Sequence, residues 1–397
     1  MPSVLIDLES WNPQTRLQNT IHKRFVLGSH GQWQDWDYKL SYSNSANSDD
    51  FWIEGGLITN STAGWNSLLS PYAQELLLPL NNASAGLASA LNSQPLADRR
   101  QRILETSAKE LNLTASRKLG ETDWGDIQLG TVFFDLKQNF RYVSWEGADY
   151  PDYQNTRHNI GVAGELQVPA WDKLDLTLSM RGERYSDFGS ILTGKLGGKY
   201  TLSDQAFLRA STGTGFRAPT LSQMSKVSTL IGTSRTPAGQ ILSKAYAIGN
   251  PDLEPEKSHQ TSLGLHLTPT QHWSMGMDFW QISLRDTFGS WSVTQIDADP
   301  ALKKKFFSLL PDGTGRYDIN SLNLGSLKKN GIDYYVQHRL PMDFGRLNLV
   351  LEGTHNLTSQ RIAAPGQSNL SDLGIFQPSY GGLTPRNKLT FSGTLER

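Results

Sequence analysis

The sequence predicts an all-β protein, an antiparallel up-and-down β-barrel that crosses a membrane with its strands. Apolar and polar residues alternate with a period of two in many segments, and the connections between these segments are alternately short and long. Aromatic residues cluster near the segment ends. Segments of about 9–14 residues are long enough to cross a bilayer at a tilt, with one face toward lipid and the other toward a lumen.

Composition narrows the classes of protein that need to be considered. The 397 residues carry a net charge of −1, so no overall basic field favours nucleic acid. The absence of cysteine excludes a disulfide framework, a thiolate metal site and a catalytic cysteine. No stretch approaches 18 consecutive apolar residues, which excludes a membrane helix. Scattered histidines and the lack of nucleophile or complete phosphate-loop motifs predict no enzyme, no cofactor and no metal site.

Thirteen strands follow from the alternation. In WDYKLSYS, for example, Trp36, Tyr38 and Leu40 share one face, and Asp37 and Lys39 lie on the other. The predicted strands lie near 17–27, 36–51, 109–118, 125–143, 157–168, 174–186, 192–201, 206–216, 257–267, 273–288, 328–340, 346–361 and 386–396.

The lengths of the connections predict the orientation. Outer-membrane barrels have short periplasmic turns and long extracellular loops. We therefore expect the long connections to be extracellular, with 187–191 as the one short exception. They are 52–108, 144–156, 187–191, 217–256, 289–327 and 362–385. Within the loop 52–108, the apolar spacing of ADRRQRILETSAKEL predicts a short helix.

Aromatic and charged residues predict the two faces of the barrel wall. We expect one aromatic girdle at each membrane interface. On the short-turn side it would contain Trp33, Trp36, Trp124, Trp171 and Trp273, and on the long-loop side Tyr142, Trp145, Tyr150, Trp280 and Trp291. The charged residues that alternate with apolar ones would line the lumen, namely Arg181, Glu183, Lys195, Lys199, Arg209, Arg339 and Glu352.

Three consecutive motifs resemble the barrel domain of TonB-dependent outer-membrane receptors. They are RGERYSDFGSILTGKLGGKYTLSDQAFLRAS, RASTGTGFRAPTLSQM and GNPDLEPEKSHQTSLGL, in the order in which that family has them. The likeness is close over about 175–290 and rests on strand and loop pattern elsewhere. The pairing of FRAP with NPDLEPE is more specific than either motif alone.

The resemblance implies a monomeric 22-stranded barrel in the lipid of the bacterial outer membrane, with a folded plug inside. Such receptors take up scarce iron–siderophores, haem, cobalamin or glycans, energised by the TonB system through the plug. The sequence shows no signal peptide, plug or energy-coupling box before the barrel and no final strand that ends in an aromatic residue. We therefore expect 1–397 to be a single partial barrel, lacking an odd number of strands before it and an even number after it.

The FRAP and NPDLEPE motifs predict a clamp at the base of the loop 217–256. Pro219 cannot donate to a strand ladder and ends one strand, and the prolines of NPDLEPE keep the returning segment extended. We expect an exposed ion pair between Arg217 and Glu254 or Glu256, worth about 0.2–1 kcal/mol. The clamp residues are Arg217, Pro219, Asn250, Pro251, Glu254, Pro255 and Glu256.

Two other functions remain open at the level of the sequence. A passive outer-membrane porin would share the barrel pattern but would lack the FRAP and NPDLEPE pair. A secreted β-rich protein that binds or cleaves glycans would need a cleft; for cleavage, the cleft would contain two acids, and no such pair stands out.

Overall fold

The computed structural model describes residues 15–54, 72, 84–92, 99–145, 149–235, 242–362, 364, 369–376 and 383–396. Strands dominate this part of the chain. They are β1 Thr15–Trp33, β2 Trp36–Glu54, β3 Arg99–Thr122, β4 Gly125–Ser144, β5 Asp152–Trp171, β6 Leu174–Tyr185, β7 Gly189–Ser203, β8 Ala206–Arg217, β9 Ser228–Arg235, β10 Leu242–Ile248, β11 Glu256–Thr270, β12 Trp273–Gly289, β13 Phe307–Leu309, β14 Gly315–Asn320, β15 Leu322–Met342, β16 Gly345–Ile362, β17 Leu370–Ser371 and β18 Asn387–Glu396.

Three short helices complete the described elements. They are α1 Ala85–Asn92, α2 Val293–Ala298 and α3 Pro300–Phe306. No helix within the described ranges has both the length and the apolar character needed to span a bilayer.

One antiparallel sheet of 14 strands contains all the long strands. Its order is β1 to β8, then β11, β12, β15, β16 and β17, with β18 also paired to β16. Each long strand therefore lies next to its predecessor in the up-and-down order that the sequence predicts. The predicted thirteen strands correspond to β1–β8, β11, β12, β15, β16 and β18. Among the described residues β1 and β18 do not pair with each other, so the sheet is an open wall.

The predicted helix at ADRRQRILETSAKEL is wrong. Residues from Arg99 onward form β3, which pairs with β2 and β4 over this stretch; Ile103 lies opposite Asp50 on one side and Val143 on the other. Two neighbouring strands satisfy its backbone groups and override a helical spacing of apolar residues. The helix described between β2 and β3 is α1, and the sequence AQELLLPL of the same loop lies outside the described residues.

A second sheet forms within the long connections 217–256 and 289–327. Its strand order is β13–β14–β10–β9, and β10 runs parallel to β14. Together with α2 and α3 it forms a unit that we call the crown. Its core consists of Ile296, Phe306 and Tyr317, all buried. The sequence predicts these connections only as long loops.

The strand register separates the two faces of the wall. Lys199 lies opposite Arg209, and Arg209 lies opposite Gly264, whose β12 partner is Asp278. The same pairing places Arg181, Glu183, Lys195, Arg339 and Glu352 on this side, which we call the polar face. The opposite, apolar face exposes large side chains, including Val162 at 60% and Leu263 at 56%.

Only one of the two predicted girdles matches this division. On the short-turn side Trp33, Trp124 and Trp171 are 67%, 46% and 63% exposed. On the long-loop side, register places Tyr142 and Trp280 on the polar face, and Trp291 packs against the crown core. The prediction for these three is wrong because the strands continue beyond the apolar band, so a strand end does not mark the edge of that band.

Gly161 on β5 allows an aromatic ring of β4 to lie flat on the wall. A Cβ built at Gly161 would lie 2.3 Å from Cζ of Phe134, whereas one at Gly130 would meet nothing within 4 Å. Both glycines lie on the polar face. Gly161→Ala should lower the free energy of unfolding by about 1–3 kcal/mol through overpacking. Gly130→Ala should leave it nearly unchanged.

The measurement is urea unfolding of the protein in detergent micelles, followed by tryptophan fluorescence. Equal midpoints for the two variants would contradict the packing of Phe134 on Gly161.

Candidate functional site

The end of β8 and the start of β11 meet at one ion pair. Arg217 lies opposite Glu256 in the register, and its Nε donates to Oε2 of Glu256 at 2.5 Å. The other carboxylate oxygen of Glu256 accepts from the backbone N–H of Phe288 at 2.6 Å. The guanidinium of Arg217 also lies 4.8 Å above the ring of Phe288. Glu256 therefore joins β8, β11 and the end of β12.

This pair is more protected than the sequence predicts. The side chain of Glu256 is only 10% exposed, although that of Arg217 is 62% exposed. Loss of the carboxylate would remove partners from both Arg217 and the Phe288 N–H, and a stranded buried donor costs about 1–3 kcal/mol. Glu254, the other predicted partner, has an exposed side chain and contributes its backbone instead, which bonds to the side chain of Asn323 on β15.

Pro219 and the residues after it form a compact turn against the polar face. Pro219 is fully buried. Thr220 and Gln223 then exchange side-chain-to-backbone hydrogen bonds in the manner of a capping box, at 2.9 and 3.1 Å. The turn directs Met224, which is 3% exposed, toward the wall.

Asn250 ties this turn to the returning segment. Its backbone N–H donates to the carbonyl of Gln223 at 2.7 Å, and its side-chain amide donates to the carbonyl of Ser321 at 3.0 Å. Its side-chain oxygen accepts from Asp252 N at 2.9 Å, which sets the turn that contains the exposed Pro251. Pro255, the last proline, is buried.

Position 249, directly before Asn250, has to be a glycine. A Cβ built on Gly249 would lie 2.0 Å from the carbonyl oxygen of Ser225. The two backbone segments therefore approach each other more closely than any side chain would allow.

Sequence reasoning missed an ion pair beneath the FRAP turn, in which the arginine is buried and the aspartate is partly covered. Arg157 on β5 is 4% exposed and donates through Nε to Asp187 at 2.7 Å. Its Nη2 also lies 3.2 Å from the sulfur of Met224. Asp187 belongs to the RYSDFG motif, and its neighbour Phe188 stacks on Tyr185 with ring centroids 4.3 Å apart. The signal in the sequence was RYSDFG itself, but nothing in the spacing indicated that its partner would be an arginine 30 residues earlier.

A second ion pair joins the 144–156 connection to the crown. Nη1 and Nη2 of Arg316 donate to the two oxygens of Asp149 at 3.1 and 2.5 Å, and Nε donates to Asp318 at 2.6 Å. The backbone N–H of Asp149 donates to Ser228 on β9 at 3.1 Å. The hydrogen bonds from Arg316 lower the pKa of the Asp149 carboxyl, against the opposing effect of burial. The Asp149 carboxylate therefore stays ionised to a lower pH than an ordinary aspartate does.

Internal hydrogen bonds also order the crown. Ser292 and Gln295 form a capping box at the start of α2, and Asp299 caps α3 through the N–H groups of Ala301 and Leu302. The hydroxyl of Tyr317 donates to Asp297 at 2.8 Å, and burial raises the pKa of that phenol.

A cavity of about 370 Å³ lies between the wall and these ordered connections. The wall contributes Phe51, Arg102, Phe140 and Tyr142 from β2, β3 and β4, and the other side is formed by the stretches 222–229 and 247–249 together with Ser321. The guanidinium of Arg102 lies 4.3 Å above the ring of Phe51. Among the described residues no acidic side chain pairs with Arg102, so this cation is available to a ligand that enters the cavity.

Within the described ranges no group of three or more histidine, aspartate or glutamate side chains is arranged to hold a metal ion. The arrangement that the structure offers is a recess lined by aromatic rings and one cation. Such a recess suits the binding of a small molecule.

Comparison with known families gives one match along nearly the whole chain. The family model described as TonB dependent receptor-like, beta-barrel matches residues 7–393. No curated protein sequence matches the chain significantly.

Solved structures share the fold at low sequence identity. The siderophore receptor PirA from Acinetobacter baumannii aligns with a TM-score of 0.60 and 15% identity, over 90% of this chain and 47% of that one. A mutant of the ferric enterobactin receptor from Pseudomonas aeruginosa aligns with a TM-score of 0.59 and 13% identity, over 94% and 46%. The outer membrane transporter YddB from Escherichia coli gives 0.60 and 8%, over 91% and 43%. The chain thus spans somewhat less than half the length of these three structures.

Glu256 and Glu254 form a matched pair for testing the ion pair at the base of the loop. Glu256→Ala should speed hydrogen exchange at Phe288 and at the β8–β11 junction about tenfold or more, because it removes the acceptor of the Phe288 N–H and the partner of Arg217. Glu254→Ala should leave both rates unchanged. Hydrogen-exchange mass spectrometry measures this, and equal protection in the two variants would rule out an anchoring role for the Glu256 carboxylate.

Asp187→Asn should destabilise the protein strongly, by about 3–5 kcal/mol, because it leaves Arg157 charged and buried without a counter-ion. Adding Arg157→Met should recover part of this loss. The control Arg141→Met breaks an exposed pair and should cost less than about 1 kcal/mol. Urea unfolding of the three variants, each compared with the unmodified protein, measures these changes. The buried pair would be unimportant if Asp187→Asn behaved like the control.

Proposed function

The chain belongs to the TonB-dependent receptor β-barrel family, and from this premise we propose that it forms part of the wall of a bacterial outer-membrane receptor that imports a scarce ligand with energy from the TonB system. Members of this family are receptors and transporters and not enzymes, which supports a role in transport. We propose further that the apolar face of the wall contacts outer-membrane lipid. The side with the long connections would then face the outside of the cell.

The observation that carries this proposal is the cavity beneath the ordered connections. A passive pore needs an open passage, whereas here the turn after Pro219, the NPDLEPE segment and the crown lie together over one part of the wall. Their shared hydrogen bonds preorganise a recess of about 370 Å³, and preorganisation raises affinity by reducing the loss of freedom on binding. Specific capture of a ligand at low concentration requires such a recess.

The lining indicates the chemistry of the ligand. Arg102 is held over Phe51 and presents donors to the cavity, and Phe140 and Tyr142 lie on the same wall. We propose a small ligand with at least one anionic group next to a flat or apolar part. Iron–siderophores and haem can satisfy this description, and acidic glycans can satisfy its anionic part.

We also propose that the residues at the base of the loop 217–256 act as a clamp and do not contact the ligand. Glu256 and Arg217 join three strand ends, and the backbone N–H of Asn250 joins the two legs of the loop by donating to the carbonyl of Gln223. The full set comprises Arg217, Pro219, Asn250, Pro251, Glu254, Pro255 and Glu256, with Glu254 acting through its backbone. The clamp would fix the position of the segments that roof the cavity.

Uptake by cells that express the protein, with and without a functional TonB system, tests the proposal. The probes are a panel of radiolabelled ferric siderophores, haem, cobalamin and oligosaccharides. We expect accumulation of at least one probe that stops when TonB is removed. Accumulation that persists without TonB would identify a passive porin. If no probe of the panel enters the cells, the transport role is overturned.

Arg102→Ala should weaken binding of the transported probe about 10- to 100-fold, since hydrogen bonds to charged groups contribute about 1.5–3 kcal/mol. Arg141→Ala serves as the control, because Arg141 lies on the opposite face of the wall and already pairs with Glu105 and Asp152. Isothermal titration measures both affinities. If the two variants bind equally well, the ligand does not contact Arg102.

A further inference from the structure

Two lysines lie directly opposite each other on the apolar face of the wall. The register pairs Lys109 of β3 with Lys137 of β4, and Lys137 in turn with His158 of β5. All three side chains are exposed. Like charges directly across a strand pair destabilise a sheet, so this row needs a negative partner to be favourable.

The described part of the protein supplies no such partner to the lysines. Among the described residues, neither Lys109 nor Lys137 forms an ion pair, and the nearest acid on this face, Asp135, is bonded to Nε2 of His158 at 2.9 Å. Arg184, also exposed, lies on the same face opposite Ile160 and adds a further positive charge. The patch therefore carries a surplus of positive charge.

Its height on the wall identifies the kind of partner. Two residues along the strands toward the short turns, the same face has the row Leu111, Asp135, Ile160, and two residues further it has Leu113, Phe133, Val162. The last row is wholly apolar, with Val162 60% exposed. Two strand residues span about 7 Å, and a headgroup layer is about 5–8 Å deep on each side of the hydrocarbon. The lysine row thus lies at headgroup height.

The row on the other side of the lysines is suited to a polar headgroup. Asn139 donates to Ser107 at 3.0 Å and accepts from Thr156 at 2.9 Å, so this row offers hydroxyl and amide groups without net charge. Charged pairs resume only with Arg141, which bonds to Glu105 and Asp152. The cations are therefore placed between an apolar surface and a neutral polar one.

We propose that Lys109 and Lys137 together bind the phosphate of an anionic lipid headgroup in the leaflet at the long-loop side. This inference rests on the proposed membrane location. Lysine ammonium groups bind phosphate as point charges, and a phosphate between the two would offset their mutual repulsion. The adjoining apolar rows would hold the acyl chains of the same molecule, which distinguishes a lipid from free phosphate.

Lys328 on β15 provides a matched control. It is exposed on the same face, but its cross-strand neighbours Ser283 and Gln360 carry no charge. A lone lysine has no like-charge repulsion to relieve and can supply only one of the two contacts to a phosphate.

The test uses the intact protein in neutral maltoside micelles, titrated with lipid A and followed by native mass spectrometry. Each lysine near an anionic surface contributes about a factor of five, so Lys109→Ala/Lys137→Ala should weaken lipid binding roughly tenfold or more. Lys109→Arg/Lys137→Arg should retain binding and Lys328→Ala should not change it. Equal binding by the double alanine variant, or equal binding of dephosphorylated lipid A, would overturn the site.

Inorganic phosphate distinguishes the two sources of the ligand. If it competes with lipid A at the same concentration, the acyl chains contribute nothing and the lipid proposal is wrong. Flotation with vesicles of neutral phosphatidylcholine separates this result from the underlying membrane proposal. A protein that fails to float contradicts the membrane location itself, whereas one that floats but binds lipid A without the two lysines contradicts only the lipid site.

Discussion

The two-residue period of the strands, combined with a fixed register, is the constraint on which the rest of the structure depends. A shift by one residue would move every side chain of a strand to the opposite face. The observed register puts Arg209 and Asp278 on the same face, where they bond at 2.8 Å across the intervening Gly264. The same register gives the other face Val162 and Leu263. This alternation determines the positions of both the cavity, on the polar face, and the lysine pair, on the apolar face.

Local pattern was sufficient to predict the wall. Alternation in segments such as KLDLTLSMRGE predicts strands because successive side chains of a strand lie on opposite faces of the sheet. Short turns then fix which strands are neighbours. The pairing of Arg217 with Glu256 also followed, since FRAP and NPDLEPE border the same pair of strands. Strand ends were less predictable. Residues 99–108 look helical by spacing, and only their two strand neighbours decide the conformation.

The contacts that sequence reasoning missed all join segments far apart in the chain. Arg157 meets Asp187 and Met224, and Asp149 meets Arg316, which lies 167 residues later. No periodicity encodes such pairs, because each depends on how two irregular segments lie over a regular wall. The same holds for Gly249, whose closeness to Ser225 shows only in three dimensions. For this reason the scaffold of the candidate site was predictable, whereas its cavity was not.

The parallel pairing of β10 with β14 has a consequence for how the chain folds. Ser243 pairs with Gly315, and the intervening residues include the whole of β11 and β12. Non-local pairings form slowly because loop closure precedes any gain from contacts, and here the β11–β12 hairpin must return the chain before β14 can reach β10. We therefore expect the crown to form late in folding, on molecules whose β11–β12 hairpin has already closed in the correct register. In that case an ordered crown reports that the β11–β12 part of the wall beneath it has formed.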